Sequence, residues 1–134
     1  MADRQPTDPP GAPEPPTEGS LAEASACAEY LRALGDPTRL RIIQLLRAGP
    51  LTVSDIAGLL ELEVATVSHH LRVLYHARIT VTRREGKYIY YSVNPQIAER
   101  DAERRDRGRP IRGLDFGCCK LDIQGGHAGD QPPI

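Results

Sequence analysis

The chain reads ALGDPTRLRIIQLLRAGPLTVSDIAGLLELEVATVSHHLRVLYHARITVTRREGKYIYYSVNP over Ala33–Pro95, nearly half of its 134 residues. Near the start of this stretch, Asp36 is a favourable N-cap and Pro37 a favourable first helical residue, so the pair predicts the beginning of a helix. Leucine and isoleucine residues at 40, 42, 43, 45 and 46 give that helix an apolar stripe. Gly49-Pro50 then predicts its end.

Two further helices are predicted in the middle of the same stretch. Thr52, followed three residues later by Asp55, is typical of a capping box and predicts a short helix over Val53–Leu60. Apolar residues at 64, 67, 71 and 74 predict another helix that runs to about His76. The connection between these helices, Glu61–Glu63, is a tight turn, so the pair is predicted to form a helix-turn-helix.

A β-hairpin and an additional N-terminal helix complete the predicted domain. Ile79–Arg83 and Tyr88–Val93 are rich in β-branched and aromatic residues, and Glu85-Gly86 between them predicts a turn. On the other side of the stretch, Leu21–Leu34 has apolar residues at helical spacing, and Gly35 ends that helix. The predicted fold class is mainly α with one β-hairpin, a winged helix-turn-helix.

Composition divides the chain into four segments. Residues 1–20 hold one basic and four acidic side chains and six of the twelve prolines, which predicts a disordered acidic tail. Residues 21–95, with nine basic and seven acidic side chains, form the predicted winged-helix domain. Residues 96–113, with six basic and four acidic side chains, are predicted to be a polar connector or a short helix, and residues 114–134 a cysteine-containing tail. The mildly basic middle is compatible with a nucleic-acid partner, although solvated charged surfaces have the same composition.

Composition also excludes several classes of protein. With no Trp and a single Phe, the chain is not expected to bind single strands by stacking bases on aromatic side chains. No apolar stretch is long enough for a membrane span, and Met1–Pro10 contains no signal-peptide core, so we expect a cytoplasmic protein with no membrane partner. Three cysteines, two of them adjacent, are not the disulfide framework of a secreted domain, so we expect their thiols to be reduced. Phosphate-binding glycine loops and hydrolase motifs are missing, so no enzymatic activity is predicted.

Three pieces of Ala33–Pro95 resemble the arsenic-repressor (ArsR) family of bacterial metal- and thiol-sensing regulators. These pieces are LGDPTRLRII, ATVSHHLRVL and REGKYIYYSVN, in this order and at this spacing. The resemblance implies a homodimeric repressor that binds a palindromic operator in double-stranded DNA and releases it when an inducer binds. It also implies a dimer interface built from the first and last helices. Because the expected last helix has few apolar residues here, the segment Ile111–Ile123 is an alternative contributor to that interface.

The helix-turn-helix suggests which residues contact DNA. The second helix of such a motif enters the major groove with its N-terminal part facing base edges, where Ser, Thr and Arg side chains hydrogen-bond to bases or phosphates. A wing meets phosphates or the minor groove through basic residues. A solvated helix face and a charged hairpin tip are the alternative interpretations of the same residues. The predicted DNA contacts are Thr66, Ser68, His69, His70 and Arg72 on the helix, and Arg83, Arg84 and Lys87 around the hairpin turn.

The cysteines are the candidate sensing residues. The adjacent pair Cys118-Cys119 lies in LDFGCCKLDI, whose alternating pattern predicts a strand with a bulge that turns both thiols to one side. Closely spaced thiolates suit soft, thiophilic ions. The family resemblance favours trivalent arsenic as the inducer, because adjacent cysteine pairs recur among arsenic-responsive members. Cys27 is either a third metal ligand, contributed from the same chain or across the dimer, or a buried core residue. No cofactor besides such an inducer is predicted.

Other signals and one other function remain open at this point. Two thiols can report an oxidant or a persulfide by forming a disulfide. Zinc and cadmium are weaker candidates because a closed zinc site needs about four ligands. A winged helix can also serve as a protein-interaction module without DNA binding. That module would show no salt-dependent binding to DNA and would not need Ser68, His69 or Arg72.

Overall fold

The computed structural model describes residues 18–99 and 111–123 of the chain. Four helices come first: α1 (Glu18–Leu34), α2 (Pro37–Leu46), α3 (Val53–Leu60) and α4 (Val64–His76). A hairpin and three short strands follow: β1 (Thr80–Glu85), β2 (Tyr88–Val93), β3 (Ala98–Glu99), β4 (Gly113–Asp115) and β5 (Lys120–Asp122). The four helices and the first hairpin confirm the predicted winged helix-turn-helix. The N-terminal helix begins at Glu18, so the last three residues of the predicted acidic tail are helical; the rest of that tail lies outside the described residues.

Local capping explains where two of the helices begin. One carboxylate oxygen of Asp36 accepts the backbone N–H groups of Thr38 at 2.8 Å and Arg39 at 3.2 Å, which fixes the start of α2. The side chains and backbone N–H groups of Thr52 and Asp55 pair reciprocally at the start of α3, so the predicted capping box is present. Both helices begin where the sequence predicted.

The hairpin runs further than expected on its first strand. β1 pairs with β2 from Thr80 opposite Val93 to Glu85 opposite Tyr88, which leaves Gly86 and Lys87 as the two turn residues. The prediction of a strand over 79–83 with the turn at 85–86 was therefore wrong by one to two residues. Gly86 has a φ of 61°, a left-handed conformation that glycine adopts without a Cβ penalty, and this places the turn there.

A second sheet in the order β3-β4-β5 replaces the predicted connector and the predicted bulged strand. Ala98 and Glu99 pair with β4 as a strand rather than forming a helix, while residues 100–110 of the predicted connector lie outside the described part of the chain. The cysteine pair does not sit in a bulge: the chain reverses between β4 and β5, and the Phe116 N–H donates to the Cys119 carbonyl at 2.9 Å. A Cβ on Gly113 would overlap the backbone of β5, so the close approach of these strands requires glycine.

Both sheets share one hydrophobic core with the helices. Ile42, Ile43 and Leu46 of α2 are fully buried at its centre, and Leu114 of β4 is buried against the same core. Arg47 fastens the C-terminal strands to α2, because its carbonyl accepts the Ile111 N–H at 3.0 Å and its Nε donates to the Ile111 carbonyl at 2.7 Å. Residues 111–123 are thus part of the protomer core.

Candidate nucleic-acid interface and thiol cluster

The N-terminal part of α4 presents most of the predicted contact residues to solvent. Thr66, His69 and Arg72 are exposed, and Ser68 is half-buried. Ser68 and Arg72 face the wing across an open groove of about 400 Å³, whose other wall includes Thr82 and Ile89 of the hairpin. α4 and the wing therefore form two sides of one groove, so a helix and a strand ribbon border the same surface. DNA contact by each of these residues stays a prediction.

The predicted basic residues of the wing cluster at its tip. Arg83, Arg84 and Lys87 are all exposed. Arg83 forms an ion pair of 2.7 Å with Glu85, and the Lys87 ammonium lies 5.4 Å from the centre of the Tyr88 ring. The tip therefore carries net positive charge, although Glu85 offsets part of it.

His70 faces the protein interior more than the other predicted contacts. It is half-buried, and its Nδ1 lies 3.4 Å from Nη1 of Arg39 in α2. A guanidinium can only donate, so Nδ1 of His70 is the acceptor. Arg39 also donates through Nε to the Ala33 carbonyl in the last turn of α1, at 2.5 Å. Arg39 thus links His70 on α4 to both α2 and α1, a connection that the sequence pattern did not indicate.

The electrostatics at this junction are dominated by the α2 N-cap. The pKa of the Asp36 carboxyl lies below its ordinary value, chiefly because the Arg39 N–H donates to it and also because the Thr38 N–H does. The Arg39 guanidinium adds a smaller favourable charge interaction. The capping carboxylate is consequently ionised over the whole neutral range.

The fold brings all three cysteines together in a group that we call the thiol cluster: Cys27 on α1, and Cys118 and Cys119 in the β4–β5 turn. The expectation of three reduced thiols was wrong: Cys27 and Cys118 are joined as a disulfide with their Cα atoms 6.4 Å apart. Sγ of Cys119 lies 3.2 Å from Sγ of Cys27. All three sulfur atoms lie within 4.8 Å of one another. Cys27 is buried, Cys119 is half-buried and Cys118 is exposed.

The thiol cluster lies beside a small cavity that is partly lined by aromatic side chains. Over residues 18–99 and 111–123, no other group of three His, Cys, Asp or Glu side chains has its ligand atoms so close together. A cavity of about 300 Å³ opens beside the disulfide, bordered by Glu23, Tyr30 and Phe116. The rings of Tyr30 and Phe116 stack with centroids 4.5 Å apart. Sequence reasoning missed both aromatic residues, although Tyr30 follows Cys27 by nearly one helical turn and the single Phe lies two residues before Cys118.

Comparison with known proteins shows that the chain is similar to bacterial transcriptional regulators. Residues 36–79 match the family described as bacterial regulatory protein, arsR family. The chain is 38% identical to the transcriptional repressor SdpR of Bacillus subtilis over 68 residues, covering 51% of this chain and 76% of that protein. It is 40% identical over 78 residues to the cadmium resistance transcriptional regulatory protein CadC homolog of Staphylococcus aureus, covering 58% of this chain and 64% of the relative, a little under two thirds.

A solved structure supports the same relationship. The homodimeric winged helix-turn-helix DNA-binding domain of Mb0332 from Mycobacterium bovis, a possible ArsR-family regulator, superposes with a TM-score of 0.56 at 27% identity. The match covers 63% of this chain and 78% of that structure. The family match at 36–79 contains none of the three cysteines, so it concerns α2, α3 and α4 and not the thiol cluster. Within the part of the chain that the structure describes, no helix has the length and apolar character needed to cross a bilayer.

Proposed function

Because this chain belongs to the arsR family of bacterial regulatory proteins, we propose that it is a homodimeric transcriptional repressor that binds a palindromic operator in double-stranded DNA. In this proposal α4 enters the major groove with Thr66, Ser68, His69 and Arg72 near base edges. The wing tip neutralises phosphates through Arg83, Arg84 and Lys87. A protein with this partner works in the cytoplasm, where thiols are kept reduced.

The inducer that we propose is trivalent arsenic, bound by the thiol cluster. The observation that carries this choice is the approach of three sulfur atoms within 4.8 Å of one another. Trivalent arsenic takes three thiolates and needs no fourth ligand, whereas zinc prefers four. In the step from arsenous acid, each As–S bond replaces an As–OH bond and the thiol proton leaves with the hydroxide as water. Arsenic stays trivalent and no oxidant is consumed, but the Cys27–Cys118 disulfide must first accept two electrons and two protons from a thiol reductant.

Ligand binding would alter DNA affinity by changing how α1 sits on the protomer. Cys27 belongs to α1, whereas Cys118 and Cys119 belong to a turn that is fastened to the core through Ile111 and Leu114. A ligand held by all three sulfurs favours one position of α1 against that turn. In a dimer whose interface includes α1, this shift changes the spacing of the two recognition helices and disfavours the operator-bound state.

Oxidant or persulfide sensing is the second candidate, and the disulfide between Cys27 and Cys118 favours it. Oxidation of these two thiols releases two electrons and two protons to an acceptor such as a peroxide, which is reduced to water and alcohol. Cadmium is a third candidate because one relative is a CadC homolog, named for cadmium resistance. Its preference for sulfur is compatible with the thiol cluster.

The test is titration of DNA from upstream of the gene by fluorescence anisotropy, using fully reduced protein. Arsenite, cadmium, zinc and a mild oxidant are added separately. The compound that releases the DNA is the signal. The variant with Cys118→Ser and Cys119→Ser should bind the operator normally and lose the response. Ser25→Ala, an exposed change on α1 two residues from Cys27, is the matched control and should respond like wild type.

Two results would contradict the proposal at different levels. A normal arsenite response in the double serine variant removes the thiol cluster as the sensing site. Absence of salt-dependent, sequence-specific DNA binding leaves the winged helix as a protein-interaction module.

A further inference from the structure

Arg39 connects three helices through one side chain and one backbone N–H. Its Nε donates to the Ala33 carbonyl at the end of α1, and its Nη1 donates to Nδ1 of His70 on α4. Its backbone N–H donates to the Asp36 carboxylate at the start of α2. A guanidinium has donors in a rigid planar fork, so it can hold two acceptors at a fixed separation, as an ammonium cannot.

Of the helices that Arg39 joins, α1 carries Cys27 of the thiol cluster and α4 is the helix proposed to read DNA. Cys27 lies six residues before Ala33 in the same helix, about 9 Å along its axis at the usual rise per residue. His70 lies next to His69 and two residues before Arg72, on the helix proposed to read DNA. A shift of α1 at Cys27 therefore moves the Ala33 carbonyl relative to a guanidinium that also holds the recognition helix.

The other contacts between α1 and α4 are less suited to transmit such a shift. Ala33 and Leu34 are buried in the shared core, but apolar contact is not directional, so it fixes the relative orientation of the two helices less strictly than a hydrogen bond does. At the C-terminal end of α4, residues 76–78 are separated from α1 by an open cavity of about 340 Å³. Glu29 and Tyr30 border this cavity on the α1 side. The hydrogen bonds of Arg39 are directional and connect the helices where they lie close.

We propose that Arg39 is the positioning residue that couples the thiol cluster to the recognition helix through its paired bonds to the Ala33 carbonyl and to His70. This inference rests on the proposed function and concerns how the signal reaches DNA. Arg39 contacts neither the inducer nor DNA in this scheme. Its removal should reduce the effect of the inducer on operator affinity without removing inducer binding.

The experiment measures the operator Kd of the reduced full-length protein with and without saturating arsenite, together with arsenite binding followed by arsenic–thiolate absorbance. Arg39→Lys keeps the charge but cannot hold both acceptors. The ratio of the Kd with arsenite to the Kd without it should therefore be at least fivefold smaller than in the wild type. Arsenite binding should remain within about twofold of wild type. Arg41→Lys is the matched control, because Arg41 is exposed on the same helix and donates within it to Gln44.

Substitutions of His70 test the other end of the same link. His70→Leu removes the acceptor and should reduce the ratio like Arg39→Lys, whereas His70→Asn places an amide oxygen near the Nδ1 position and should restore most of it. If His70 also touches DNA directly, its substitution changes both Kd values alike, and that change largely cancels in the ratio. If Arg39→Lys is too unstable to titrate, the His70 pair decides the question.

The outcomes separate this inference from the proposed function. Wild-type protein that keeps its operator in saturating arsenite overturns the proposed inducer. A wild-type response that persists undiminished in Arg39→Lys or in His70→Leu, with arsenite still bound, overturns the role of Arg39 alone.

Discussion

The ring of Tyr30 in α1 stacks on the ring of Phe116 in the β4–β5 turn, with centroids 4.5 Å apart and planes 12° apart. This contact joins the same two elements that the Cys27–Cys118 disulfide joins. An aromatic pair does not depend on the oxidation state of the neighbouring sulfurs. Reduction of the disulfide should therefore leave the turn against α1, with the three thiols close enough to accept a shared ligand.

Phe116→Ala should weaken both the fold and the thiol cluster. Loss of the stack and of a half-buried ring is expected to lower the free energy of unfolding by about 1–3 kcal/mol, measured by urea denaturation of the reduced protein. Arsenite affinity should fall as well, because the turn that carries Cys118 is less well positioned. Tyr88→Ala, at an exposed wing position, is the control for loss of an aromatic ring. Unchanged arsenite affinity in Phe116→Ala would show that the stack does not organise the thiols.

Cys119→Ser should distinguish arsenic sensing from oxidant sensing. The variant retains both partners of the Cys27–Cys118 disulfide but loses the sulfur 3.2 Å from Cys27. Arsenite affinity is expected to drop by at least tenfold, while release of DNA by a mild oxidant persists. Both responses are measured by anisotropy on the same operator. Equal loss of the two responses would mean that Cys119 takes part in the redox step itself, by thiol–disulfide exchange.

Features fixed by neighbouring residues were predictable from the sequence. The capping box of Thr52 and Asp55 and the N-cap Asp36 need only three or four consecutive residues, and both helices start where expected. The wing turn lies one residue later than predicted, at Gly86 and Lys87. The positive φ of Gly86 favours this two-residue turn, a preference that strand composition does not reveal.

Features that depend on distant pairing were not predictable in the same way. The β3 residues Ala98 and Glu99 form a strand because β4 lies beside them, although the charged run that follows them favours a connector or helix. The stacking of Tyr30 on Phe116 joins residues 86 positions apart (116 − 30), which no local pattern signals. The sequence left Cys27 as either a third ligand or a core residue, because its distance to Cys119 depends on how the β4–β5 turn packs on α1.

Arg72→Ala should weaken operator binding. Arg72 is exposed on α4 and borders the groove between that helix and the wing. If it donates to a base, the loss is about 1–3 kcal/mol and specificity relaxes at one position of the operator. The measurement is a set of anisotropy titrations on the operator and on single-base variants. Arg41→Ala removes an exposed charge from α2 and serves as the control. The same affinity for Arg72→Ala and Arg41→Ala would remove Arg72 from the interface.

Glu85→Gln should strengthen DNA binding at low salt. Glu85 pairs with Arg83 at 2.7 Å at the wing tip, with both side chains more than half exposed. The exposed pair itself contributes little stability, so its loss should not affect folding. Freed Arg83 becomes available to a phosphate, and the operator Kd should fall by about two- to fivefold, with a slope of log Kd against log salt that is steeper by about one. Glu29→Gln on α1 controls for the change in net charge. A slope of log Kd against log salt that is unchanged from the wild type in Glu85→Gln would place the wing tip away from the DNA backbone.

Gly113→Ala should disconnect sensing from DNA reading by loosening the C-terminal sheet. A Cβ at this buried position would overlap the backbone of Leu121 and Asp122 in β5, and backbone atoms cannot yield as a flexible side chain does. The expected cost is about 1–3 kcal/mol of unfolding free energy, with weaker arsenite binding because the β4–β5 turn carries two of the three thiols. Basal operator affinity should persist, since α3, α4 and the wing do not include this sheet. Gly58→Ala is the contrasting control: apart from its own helical turn, no atom lies within 4 Å of the added Cβ, and a helical alanine there should raise stability by about 0.4–1 kcal/mol. Wild-type arsenite affinity in a destabilised Gly113→Ala protein would show that the thiols assemble without the β4–β5 pairing.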